Sequence, residues 1–182
     1  DYLNLNELTM QWQWKGVFPA ITTRFTADDT LDLPAFERNL QAQLDAGVEG
    51  IILGGSLGEA STLTNNEKDE LLKHVVRAAG NRVPVVMNIA EQATRDAVHA
   101  AIRAKDLGAA GLMLLPPMRY AADARETVTF FKAVAAATDL PIMLYNNPVD
   151  YKILITVDMF KELADVPTIT AVKASTRDVS NV

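Results

Sequence analysis

With 182 residues, 49% of them hydrophobic and 22% charged, the chain is long enough to bury one good core and has the balance of a globular protein. Seventeen Lys and Arg against 23 Asp and Glu leave a net charge of −6, which offers no basic footprint for nucleic acid. Cysteine is absent, which excludes disulfides and thiolate metal sites, and no apolar run reaches the ~18 residues of a membrane span.

Asp1–Thr9 precede Met10 and lack the charged stretch and apolar core of a signal peptide. Met10 is a plausible natural start, residues 1–13 are read as an N-terminal extension or remnant, and 14–182 as one domain. From Gly16 onward, apolar strand candidates alternate with amphipathic helix candidates. The strand at Gly16–Thr22 is followed by a helix at Leu33–Ala46, and the strand at Gly50–Gly54 by a helix at Asn66–Ala79. The strands Val83–Ile89 and Gly111–Leu115 precede helices at Thr94–Leu107 and Ala124–Ala137. The strand Pro141–Tyr145 leads to a helix at Thr156–Leu163, and Thr168–Lys173 is the sixth strand. Gly47 and Gly108 follow helices where a C-cap belongs, and Pro84 and Pro141 open strands, where a missing N–H is tolerated. His74 and His99 fall in separate polar helices without metal-ligand spacing and read as surface residues. Strand starts recur every ~30 residues, the length of a βα unit. Near-continuous apolar strands predict a parallel sheet covered on its faces. Six βα units fit part of a (β/α)8 barrel or an open doubly wound sheet; a whole barrel runs to ~250 residues.

In either architecture the chemistry gathers where strands end. The sixth strand candidate, Thr168-Ile169-Thr170-Ala171-Val172-Lys173, is an alternating β-branched run that reads as buried and ends in a lysine. Desolvating an unpaired ammonium costs several kcal/mol, so a lysine kept in such a place favours the free amine that a Schiff base needs. The plainer reading is a buried stem with its head in water. Tyr145 ends the fifth strand and is either a general acid or base, or a core tyrosine. Gly54-Gly55-Ser56-Leu57-Gly58-Glu59 follows the second strand. Its glycines permit positive φ and close backbone approach, and Ser56 with adjacent amides suits a carboxylate. Asn146 and Asn147 fit a turn or a ligand contact, and Arg119 suits a second acidic group on a substrate.

Three segments, GGSLGEASTL, LYNNP and AVKAS, resemble in order and spacing the signatures of the dihydrodipicolinate synthase/N-acetylneuraminate lyase superfamily. The resemblance runs from about Trp14 to Val182 and implies a class I aldolase-type (β/α)8 TIM barrel, of which this chain covers about the first six βα units. It implies that Lys173 forms an imine with a 2-oxo acid, that Tyr145 shuttles protons, and that Ser56 and neighbouring amides, Gly55 among them, hold the carboxylate. It also implies no metal or dissociable cofactor, since the covalent imine on Lys173 does the work, and a cytoplasmic homo-oligomer, tetramer or dimer. The substrate is then a small 2-oxo acid or imino acid, with no nucleic acid or membrane partner.

Several positions depart from the synthase pattern. Leu57 stands where the pattern has a threonine, so the synthase's tyrosine–threonine–tyrosine relay is expected to lack its middle member. The second relay tyrosine aligns with Arg119, with Tyr120 one residue out of register. The arginine that binds the aldehyde substrate's carboxylate aligns with Asp150. The LPPMxY, YNNP and KASTRDVSNV segments are more similar to the deaminases of Δ1-pyrroline-4-hydroxy-2-carboxylate and the related sugar-acid dehydratases. The expected substrate contacts are Ser56, Leu57, Gly55, Arg119, Tyr120 and Asn147. The expected reaction is dehydration or deamination through Lys173 and Tyr145. A synthase or 2-keto-3-deoxy acid aldolase, and a 2-oxo acid binding protein with weak turnover, are the alternatives.

Overall fold

A computed structural model describes residues 12–118 and 120–175. Helix α1 (Leu33–Asp45) starts where the Asp32 carboxylate accepts from the Ala35 N–H at 2.9 Å. Reciprocal capping boxes open α2 (Asn65–Ala79), through Thr64 and Glu67, and α4 (Ala124–Ala135), through Asp123 and Glu126. Helix α3 spans Thr94–Asp106, α5 is a single turn at Pro148–Tyr151, and α6 spans Val157–Leu163. The strands are β1 (Ile51–Leu53), β2 (Val85–Ile89), β3 (Gly111–Leu114), β4 (Ile142–Asn146) and β5 (Ile169–Ala174).

They form one parallel sheet in the order β1-β2-β3-β4-β5. Alternation divides the sheet into two faces. Ile51, Leu53, Val85, Met87, Ile89, Leu112, Leu114, Ile142 and Leu144 pack against the helices. Ile52, Val86, Met113, Leu115 and Met143 form a second core on the opposite, inner face. Trp12, Trp14 and Phe18 close the N-terminal end of that inner face. The Trp12 indole donates to the Ala110 carbonyl at 3.1 Å, and the Trp14 indole to Thr170 Oγ1 at 2.8 Å.

Two expectations are corrected. The strand expected at Gly16–Thr22 reduces to one bridge, between Ala20 and Ile52. Its ladder is short because Pro19 accepts from Ile52 at 2.9 Å but has no N–H to extend the pairing. The strand around Lys173 is not buried on both sides: residues of β5 alternate between half-buried and exposed.

β5 also carries an irregularity that decides where Lys173 points. Ile142 pairs with Ile169, but Met143 pairs with Ala171, so Thr170 is an extra residue. Ile169 packs with the helices, whereas Ala171 packs with the inner core. Beyond the bulge the register brings Lys173 opposite Tyr145, on the inner face. In unbroken register from Ile169, Val172 would stand opposite Tyr145 and Lys173 would turn to the helices.

Candidate active site

At the C-terminal ends of the strands, Lys173 Nζ lies 4.0 Å from the centroid of the Tyr145 ring. The Tyr145 hydroxyl accepts from Asn147 Nδ2 at 3.4 Å. Asn147 also caps α5: its Oδ1 accepts from the Asp150 N–H at 3.3 Å, and its Nδ2 donates to the Asp150 carboxylate at 2.7 Å. Asn146 is a buried clamp. Its amide nitrogen donates to the Ile155 carbonyl and its amide oxygen accepts from the Ile155 N–H, both at 3.1 Å. Its backbone carbonyl accepts from the Ser175 N–H at 2.9 Å, just past the lysine. The two asparagines therefore hold the tyrosine strand and the chain that follows it.

Ser56–Gly58 forms a 3-10 turn immediately after β1. Gly54 has φ +64°, and a Cβ on Gly58 would come within 3.0 Å of the Ile21 carbonyl oxygen, so the loop's glycines serve one special conformation and one close approach. Gly55, in contrast, has φ −72°, so the positive φ expected along this loop belongs to Gly54 alone among its glycines. Asn88 on the inner face of β2 donates to the Gly54 carbonyl at 2.8 Å, which ties the turn to the sheet.

Ser56 Oγ shares a 2.5 Å hydrogen bond with the hydroxyl of Tyr151. The Tyr151 ring meets Tyr145 edge to face, with centroids 5.3 Å apart, and is only 8% exposed. Burial pushes the Tyr151 phenol above its ordinary pKa. The bond from Ser56 opposes that rise, while Tyr145 and Asp150 add to it. The structure thus gathers Lys173, Tyr145, Tyr151, Ser56 and Asn147 around one end of the inner face.

Leu57 and Tyr120 are 72% and 75% exposed, unlike the packed tyrosines of this group. Arg119 lies outside the described residues. The hydroxyl of this loop that meets a tyrosine is that of Ser56, which bonds to Tyr151. The tyrosine that packs against Tyr145 is Tyr151, in the turn after β4. Sequence reasoning missed Tyr151 and Asn88. Asn88 had a signal, being a lone polar residue in an apolar strand. Tyr151 had none beyond an aromatic residue in a polar loop.

Residues 13–182 match the Dihydrodipicolinate synthetase family. The chain belongs to that family. A relative is a 4-hydroxy-tetrahydrodipicolinate synthase from Staphylococcus carnosus (strain TM300), 38% identical over 165 residues, which are 91% of this chain and 56% of that protein. Among solved structures, the chloride-inhibited dihydrodipicolinate synthase of Acinetobacter baumannii complexed with pyruvate superposes with a TM-score of 0.88 at 31% identity, covering 91% of this chain and 57% of that one. YagE, a prophage protein of the same family from E. coli K12 in complex with pyruvate, gives a TM-score of 0.88 at 29% identity, covering 92% and 57%. The chain thus spans a little over half the length of these relatives, and its five-stranded parallel sheet is the N-terminal part of the family's barrel.

Proposed function

We propose that the protein is a Schiff-base-forming lyase that binds a 2-oxo acid of the pyruvate type through Lys173. The observation that carries this reading is the placement of Lys173 Nζ over the Tyr145 ring at the ends of neighbouring strands. Two solved relatives complexed with pyruvate support the substrate class. The lysine nitrogen attacks C2, and water leaves as the iminium forms. The iminium draws electrons from C3, and the Tyr145 oxygen takes a C3 proton to give the enamine.

The enamine has two outcomes. The names of the curated relatives favour attack on a carbonyl, the carbon–carbon bond chemistry of a synthase. Asp150 favours the other. It stands where the synthase pattern has a carboxylate-binding arginine, and it is committed to Asn147 at 2.7 Å. A carboxylate there repels an acidic aldehyde, which leaves expulsion of a hydroxyl at C4, as in dehydration or deamination of Δ1-pyrroline-4-hydroxy-2-carboxylate.

Borohydride trapping with pyruvate and, separately, with the hydroxy-pyrroline carboxylate, followed by peptide mapping, tests the reading. A reduced adduct on Lys173 is expected with pyruvate, and its loss in Lys173→Ala. Folded protein that yields no adduct with either compound overturns the covalent mechanism.

A further inference from the structure

We propose that Tyr151 is a general acid of this site. Its phenol gives a proton to the oxygen leaving C2 when the carbinolamine of Lys173 and a 2-oxo acid collapses, and Ser56 holds that phenol in position. The assignment rests on the imine reading above and adds a second proton-transfer residue to it.

The geometry divides the work between two phenols. The Tyr145 hydroxyl accepts a hydrogen bond from Asn147, and its ring lies under Lys173 Nζ. Tyr151 has a different partner, the Ser56 hydroxyl at 2.5 Å, and its ring packs edge to face on the ring that Lys173 Nζ touches. Tyr151 is buried on the inner face beside Met113 and Met143, so its hydroxyl lies in surroundings where a neutral phenol is favoured over a phenolate. The upward shift of its pKa agrees with that placement. Two phenols with different hydrogen-bond partners beside one lysine can divide proton donation and proton removal between them.

The step balances. The neutral amine adds to C2, and its proton passes to the carbonyl oxygen, giving the carbinolamine. The C2–O bond then breaks, the oxygen takes the Tyr151 proton and leaves as water, and nitrogen shares its lone pair with C2 to form the iminium. The Tyr151 phenolate remains until a proton returns through Ser56. Removal of the C3 proton by Tyr145 follows as a separate transfer. A tyrosine serving only to fill the inner core would need its ring and not its hydroxyl, which is the distinction the test exploits.

The full-length chain is mixed with pyruvate and cyanoborohydride, and the rate of adduct formation on Lys173 is followed by mass spectrometry against pH. Tyr151→Phe keeps the ring and removes the proton. Its rate is expected to fall about a hundredfold, within the range for losing one general acid. The high-pH decline of the unaltered protein, where Tyr151 gives up its proton, should also disappear. Ser56→Ala is expected to slow the step in the same direction with the phenol intact, and the double variant to be no slower than Tyr151→Phe, because the two hydroxyls act as one unit. Should Tyr151→Phe fail to fold, Ser56→Ala decides: an unchanged rate and pH profile overturns the proposal. A Tyr151→Phe rate within threefold of the unaltered protein, with the same pH profile, overturns it alone and leaves the imine reading standing. Absence of any Lys173 adduct in the unaltered protein overturns both.

Discussion

Exchanging residues 172 and 173, as Val172→Lys/Lys173→Val, moves the lysine amine proposed to form the imine by one position and tests whether the bulge at Thr170 aims it. In the structure Val172 is 48% exposed, so a lysine there is tolerated with little loss of stability. Its side chain, however, would project from the face of β5 opposite Tyr145, because Lys173 is the residue paired with Tyr145 on the inner face. The amine would be removed from its place 4.0 Å over the tyrosine ring to the other side of the sheet. Holding reactants together is worth an effective concentration of about 10⁵–10⁸ M in well-oriented cases, so losing the site entirely should slow adduct formation by at least about 10³-fold. The assay is borohydride trapping with pyruvate and mapping of the modified peptide. Deletion of Thr170 is the complementary arm: it removes the extra residue, restores regular alternation, and should leave the lysine opposite Tyr145 and still trapped. An adduct on the relocated lysine at a rate near that of the unaltered protein would refute the reasoning, since it would mean that β5 runs without a bulge and that residue 172 faces inward.

Asn146→Ala removes both side-chain bonds to Ile155 and leaves a buried N–H and C=O without partners, which should cost about 3 kcal/mol at about 1–3 kcal/mol for each orphaned group. A urea titration showing a loss below about 1 kcal/mol would mean that water or a backbone shift replaces the clamp. The raised pKa of Tyr151 has its own consequence in alkali. The folded state keeps a proton that the unfolded chain releases from about pH 10 upward, so this contribution is whole at neutral pH and is lost as pH rises through the folded value. The urea midpoint of Tyr151→Phe should therefore fall less steeply than that of the unaltered protein between about pH 9.5 and 11; parallel declines would rule the contribution out.

Local chemistry made much of the molecule legible. Helices followed from apolar residues at helical spacing, and Gly47 and Gly108 marked the ends of the first and third of them. Pro84 and Pro141 marked the strands that begin at Val85 and Ile142. Lys173 and Tyr145 were found together because strand periodicity places both at strand ends, where a parallel α/β fold collects chemistry. These signals act over a few residues, so the chain order carries them.

Tertiary structure decided the remainder, because it depends on partners distant in sequence. Whether Lys173 faces Tyr145 is set by one extra residue in the β4–β5 pairing, and the β-branched run around it reads the same in either register. That Ser56 rather than Leu57 meets the Tyr151 hydroxyl depends on a 3-10 turn tied to Asn88, 34 positions from Gly54. The Tyr151 hydroxyl meets Ser56 across 95 residues of sequence. Apolar and polar periodicity determines which face a residue seeks, but only the assembled sheet determines which side chains meet there, since each such meeting is a long-range pairing that no local pattern encodes.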